Sequence, residues 1–229
     1  MVSKIDYFIG GLVGFFAGMF AIPTLISVGI YSLAMFFPAL AYPLFFMSLG
    51  LPYPWWLLVL PWEFGILFAI GIWVGNKLVK VSSVFPQFSR FVAVGILNTT
   101  IDFGVLNLIS AAAGVTAGVV IGGVNVPGFV VAVTNSYFWN KLWVFKNKDK
   151  LFSDFLQFVA VTAVGLLLNS IIVITLTSAI APPLGLGATR WLNVSKACAT
   201  VFTLIWNFLG YKFIVFRAKK AEVAPETDV

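Results

Sequence analysis

The sequence predicts an all-α polytopic membrane protein of about six transmembrane helices, the last four forming a tandem repeat of two-helix units. Three observations predict it. Apolar residues make up 61% of the chain and charged residues 10%, with a mean hydropathy of +1.03; a soluble protein of this size needs a more wettable surface. The apolar residues fall in runs that match the roughly 20 residues a helix needs to cross a bilayer core. The chain also repeats itself. Asn140-Lys141-Leu142-Trp143-Val144-Phe145-Lys146 closes one pair of hydrophobic segments, and Tyr211-Lys212-Phe213-Ile214-Val215-Phe216-Arg217 closes the next, 71 positions later. At the same offset Asn98 falls on Asn169 and Asn125 on Lys196. The repeat therefore runs from about 88 to 217, a transporter-like design.

The elements follow in order. The first span is expected over 7–36, in an apolar run too long for a cleavable signal and without a small-residue cleavage site. Gly10, Gly14 and Gly18 recur every fourth residue in it, a small-residue face for another helix of the chain or of a second copy in a homo-oligomer. A stretch with Pro38, Pro43, Pro52, Pro54, Trp55 and Trp56 comes next. It reads as an interfacial or re-entrant connection, since Trp favours the headgroup level and Pro interrupts regular helix. The second span, 56–79, carries Glu63 near its outer start and a further small pair, Gly71 and Gly75. Spans three to six are expected at 88–111, 119–144, 155–179 and 191–215. Residues 218–229 mix Lys, Glu, Asp and Pro with few apolar residues, the composition of a disordered tail. The organisation expected is thus an N-terminal membrane extension (1–84), a four-helix domain (85–217) and the tail (218–229).

Charge sets the orientation expected. Lys4 precedes the first span; Lys77, Lys80 and Arg90 lie between the second and third. Lys141, Lys146, Lys148 and Lys150 lie between the fourth and fifth, and Lys212, Arg217, Lys219 and Lys220 close the sixth. With alternating spans all fall on one side, leaving Arg190 and Lys196 towards the other. The positive-inside rule then places both termini in the cytoplasm of a cell-membrane protein. The net charge of +6 reads as a topology signal and not as a nucleic-acid surface, because the cations flank spans instead of forming one patch. Cys198 is the single cysteine and histidine is absent, which excludes a disulfide within the chain and Cys- or His-based metal sites. No phosphate-binding G-x-x-x-x-G-K-[ST] loop is present. No cofactor is expected. Nor is an enzyme, for which paired carboxylates, a His or an activated nucleophile would be needed.

The informative side chains are polar ones inside the spans. Asp102 lies twelve residues beyond Arg90, roughly 18 Å into a core about 30 Å thick. A carboxylate there costs on the order of 2.5–3.5 kcal/mol on insertion scales, so it needs a partner or a wet groove. Asn98 is one turn earlier on the same face. Lys196 lies in the outer part of span six, followed by Thr200, Thr203 and Asn207 on one stripe. Span four offers Asn125, Ser136 and Asn140, and span five Thr162, Gly165 and Asn169. Stripes on four consecutive spans can converge on one groove. Plainer readings stand beside this: interhelical hydrogen bonds of about 0.6 kcal/mol each, a Lys196 that snorkels to the outer interface, or an architectural Asp102–Lys196 ion pair.

Arg90-Phe91-Val92-Ala93-Val94-Gly95-Ile96-Leu97-Asn98-Thr99-Thr100-Ile101-Asp102 resembles the opening of GtrA-like proteins, roughly R-F-x-x-V-G-x-x-N-T-x-x-D. Asn140-Lys141, Trp143 and Phe145 resemble the close of that family's first half. Ser195-Lys196-Ala197 resembles its Ala-Lys step, and Asn207-Phe208 with 211–216 its second close. The likeness covers about 88–217. It implies a part in making cell-surface polysaccharide: moving a polyprenyl-phosphate-linked sugar across the membrane, or supporting a glycosyltransferase partner that makes or uses one. By that likeness Arg90, Asn98, Asp102, Lys141, Lys196, Asn207 and Lys212 match motif positions, and Asn169 joins them through the repeat. Lys stands at 141 and 212 where the family has Arg, and Lys is a poorer bidentate phosphate partner. On the flippase reading the lysines hold the phosphate, while Asn98, Asp102, Asn169 and Asn207 bind sugar hydroxyls. The rivals are a non-transporting anchor for a glycosyltransferase and, behind it, a small multidrug-type proton antiporter using Asp102.

Overall fold

The computed structural model describes residues 3–27, 59–114, 120–180 and 188–217, without the side chains of 26–27, 120–125, 173, 177 and 188–197. The Pro- and Trp-rich connection, the tail 218–229 and the side chains of Asn125, Arg190 and Lys196 lie outside these described residues. Six long helices account for nearly all of the rest: α1 (Lys4–Ser27), α2 (Leu60–Lys77), α3 (Phe85–Ala113), α4 (Val120–Trp139), α5 (Phe155–Ala179) and α6 (Ala188–Gly210). Among the described residues five stretches are long and apolar enough to cross a membrane: Lys4–Leu25, Leu60–Lys80, Phe85–Ala113, Phe155–Leu176 and Cys198–Val215. The protein is an all-α polytopic membrane protein. Helix is what lipid demands, because every backbone N–H and C=O in the hydrocarbon must be satisfied within its own segment.

Local chemistry sets the ends. Pro61 and Pro86 sit in the first turns of α2 and α3, where a missing N–H costs no helical bond. Gly114 stops α3 in a left-handed conformation (φ 66°), its N–H donating to the Ser110 carbonyl. Two ends differ from simple helix. α4 runs into a π-helical turn, Asn140–Val144, and α6 into another, Tyr211–Val215. The two turns begin 71 positions apart, so the repeat seen in the sequence is also a repeat of backbone geometry. Spans four and six were expected as uninterrupted helix to 144 and 215. The hydropathy of these segments is blind to a widened hydrogen-bond ring at their ends.

The chain divides into two compact units, Met1–Val144 and Phe145–Val229. In the first, α1 packs on α2 and α3, and α3 packs on α2 and α4. The Gly10, Gly14, Gly18 face of α1 meets α2 within the same chain. A Cβ on Gly10 would stand 2.8 Å from Ile72 Cγ1, one on Gly14 would strike the Phe64 carbonyl, and one on Gly18 would stand 2.6 Å from Pro61 Cα. Gly104 of α3 is closed in the same way by the Phe20 carbonyl of α1. The expected pair on α2 splits. Gly75 is pressed on Ser89 and the Phe85 carbonyl, whereas Gly71 faces open space.

In the second unit α5 packs on α6 and on the π turn that follows it. Phe158 and Tyr211 stack at 4.5 Å between ring centroids, and Phe145 and Phe216 at 5.2 Å. The Trp206 indole donates to the Val161 carbonyl (3.1 Å). This aromatic nucleus fixes the close of the repeat.

Candidate functional site

Arg90 comes first among the expected residues, and it is held inside the first unit. Its side chain is 8% exposed and its Nε lies 3.8 Å from Asp6 Oδ1. Its Nη1 donates to the Trp143 carbonyl (3.4 Å), and the Trp143 indole donates to Asp6 Oδ1 (3.1 Å). Asp6 also accepts from the Ser3 backbone N–H (2.9 Å). The start of α1, the start of α3 and the first π turn are thus tied through one buried carboxylate. Sequence reasoning missed Asp6. The available signal was an acidic residue in the first turn of an apolar span, which has to find a partner or stay at the interface.

Lys141, inside the first π turn, is fully buried, with its ammonium 5.8 Å from the Tyr137 ring centroid. Lys212, its counterpart in the second turn, is only half-buried; its ammonium lies 5.7 Å from the Phe208 ring and 5.5 Å from Phe213. Tyr137 and Phe208 are themselves 71 positions apart, so each lysine rests over an aromatic ring one helical turn before it. The repeat keeps the ring and the cation but encloses the first cation far more than the second.

The mid-span residues pair across their own units. Asn98 accepts a hydrogen bond from Asn135 of α4 (2.7 Å). Its repeat partner Asn169 donates to Thr203 of α6 (3.2 Å), which in turn donates to the Ala199 carbonyl (2.8 Å). Asp102 lies against Gly128 of α4, where a Cβ would come within 2.7 Å of the Asp102 carbonyl oxygen and 3.1 Å of its Oδ1. Asn207 lies likewise against Gly165 of α5. In each unit the facing glycine lets a polar side chain lie at a helix–helix contact.

Four buried polar atoms in the described residues have no hydrogen-bond partner: Arg90 Nε, Asp102 Oδ1, Asn140 Oδ1 and Asn207 Oδ1. Three of these, on Asp102, Asn140 and Asn207, are acceptors on residues that the sequence singled out. An acceptor left unpaired costs roughly 1–3 kcal/mol, and a hydroxyl donor would relieve it. Lys196 belongs to α6, with its side chain outside the described residues. Among the described residues no group of three or more His, Cys, Asp or Glu could hold a metal.

A family model described as GtrA/DPMS, transmembrane domain, matches residues 90–218. The chain is also 28% identical over 148 residues to an uncharacterized membrane protein, YngA, of Bacillus subtilis (strain 168), a match covering 65% of this chain and 91% of that protein. No solved structure matches the chain.

Proposed function

Since the chain belongs to the GtrA/DPMS transmembrane-domain family, we propose that it carries the phosphosugar head of a polyprenyl-phosphate-linked sugar across the membrane for cell-surface polysaccharide synthesis. The observation that carries this reading is a set of buried, unpartnered acceptors, Asp102 Oδ1 and Asn140 Oδ1 in the first unit and Asn207 Oδ1 in the second. Such a lipid keeps its tail in the hydrocarbon, and only its head needs a polar route. Within each unit the hydroxyls of the head donate to that unit's own acceptors, Asp102 and Asn98 in the first and Asn207 and Asn169 in the second. Its phosphate requires a cation. Lys212, half-exposed beside Phe208 and Phe213, is better placed to meet it than Lys141, which is enclosed. Lys196, one turn before Thr200 on α6, takes the phosphate at the opposite end of the span. Arg90 is assigned to the fold and not to the route, because its charge is already spent on Asp6. Both termini are assigned to the cytoplasmic side of the cell membrane, from the distribution of lysines and arginines. No catalytic step is assigned to any residue.

The test uses purified protein in liposomes with a short-chain polyprenyl-phosphate sugar, timing the appearance of its head on the far face. Protein-dependent movement is expected, lowered roughly tenfold or more in Lys212→Met and Lys196→Met, the loss of one charge-assisted contact. Wild-type rates in both variants would remove the phosphate role from these lysines. A second reading rests on the exposed Lys146, Lys148 and Lys150 that follow the first π turn. They would suit an anchor for a glycosyltransferase, and co-purification with such an enzyme without lipid movement would select that role.

A further inference from the structure

Asp102 is the acidic side chain within α3, roughly 18 Å along the helix from Arg90. Among the described residues its carboxyl makes no hydrogen bond and no ion pair, and its Oδ1 is buried. It faces Gly128 of α4, where a Cβ would stand 3.1 Å from Oδ1. Pro127 precedes that glycine and has no N–H, so α4 carries a carbonyl without its helical donor one turn away. The elements packed on α3 bring other titratable groups. These are Lys4, Asp6 and Tyr7 of α1, Glu63, Lys77 and Lys80 of α2 and the turn after it, and Tyr137 and Lys141 of α4 and its π turn. None of them reaches Asp102 with a hydrogen bond or an ion pair among the described residues. A carboxylate within the hydrocarbon needs a counter-charge. A proton is the one that requires no second side chain.

The cargo sharpens this requirement. The head proposed above is a phosphodiester with one negative charge, and its path in the first unit runs past Asp102. Two anions side by side in a low dielectric repel strongly. A protonated carboxyl removes that repulsion and still keeps an acceptor oxygen for a sugar hydroxyl. At the 71-residue offset the second half has Val173 in place of Asp102, so the repeat supplies one carboxyl and not two.

We infer that Asp102 is a proton site coupled to the phosphosugar route. It takes a proton from the water on one face, holds it while the head passes, and releases it to the water on the other. Head and proton then cross in the same direction, one for one, and together carry no net charge. The inference rests on the route proposed above and adds a driving force to it.

Liposomes holding the full chain and a short-chain polyprenyl-phosphate sugar test this, the share of heads in the outer leaflet being read at steady state with a membrane-impermeant reagent. Each unit of pH difference across the membrane is expected to shift the ratio of heads between leaflets roughly tenfold, towards the alkaline side. A membrane potential imposed without a pH difference should leave the ratio unchanged, because the two charges cancel. Asp102→Glu should retain the response to pH, and Asp102→Asn should lose it. Heads that move but stay evenly shared under the pH difference overturn the proton site and leave the route standing. So do heads that follow the potential and ignore the pH difference, or a response that Asp102→Asn keeps. No protein-dependent movement at all removes the route, and the proton site with it. An Asp102→Asn chain that folds poorly and is restored by Lys196→Met would make the carboxyl an ion-pair partner, which also overturns the proposal.

Discussion

Asp6→Ala is expected to destabilise the folded chain by about 3–5 kcal/mol, the range seen when one partner of a buried ion pair is removed. The carboxylate is 2% exposed and serves three neighbours: the Arg90 guanidinium, the Trp143 indole and the Ser3 backbone N–H. Removing it leaves a guanidinium buried with its charge unanswered and an indole N–H without its acceptor. Replacing the pair by apolar residues should behave differently, since no charge then remains to be desolvated. Asp6→Leu combined with Arg90→Met is therefore expected to recover most of the lost stability. Unfolding of the purified protein in detergent, followed by loss of helical signal, measures all variants. Coupling between the two positions should exceed the roughly 0.5 kcal/mol of independent sites. An Asp6→Ala protein that melts with wild type, or strictly additive effects, would mean that this contact does not hold α1 to α3.

The second large effect is expected at Gly14. A side chain there is directed at the Phe64 carbonyl and at Phe68 Cβ, 2.8 Å away. Overpacking a core typically costs 1–3 kcal/mol. Gly14→Leu should reach or exceed the top of that range, because what it meets first is backbone and cannot rotate aside. Gly71→Ala is the matched comparison on the facing helix. It enters open space and removes the helix penalty of glycine, so it should be neutral or stabilising by up to about 1 kcal/mol. Thermal unfolding and folded yield in membranes distinguish the two. Equal behaviour of the variants would count against close packing of α1 on α2 at Gly14.

These two residues also show where reading a sequence stops. The recurrence of Gly10, Gly14 and Gly18 announces a packing face, and α2 covers it. The recurrence of Gly71 and Gly75 announces another in the same terms, yet only Gly75 is covered. Spacing along a helix says which residues share a face. It does not say how far away the next helix lies.

The candidate residues divide in the same way. Lys141 and Lys212 are equivalent by repeat, by motif and by the ring beneath each ammonium, yet one is enclosed and the other half-exposed. Asn98 and Asn169 are equivalent too, and each finds a partner on the other helix of its two-helix repeat, but the partners are Asn135 and Thr203, which are not related by the 71-residue offset. Arg90 was legible as a motif residue. Its engagement with Asp6 joins positions 84 residues apart, beyond any local pattern.

The sequence by itself determined the class of the protein, the approximate place of the helices among the described residues and the tandem repeat. Those properties follow from composition and periodicity, because a bilayer admits only long apolar segments that satisfy their own backbone hydrogen bonds. Tertiary structure alone decided which glycines are covered, which lysine stays accessible, where three acceptors among the described residues are left unpaired, and that the extra N-terminal helix carries the counter-ion of Arg90. Those depend on distances between side chains far apart in the chain, and packing sets such distances only when the helices meet.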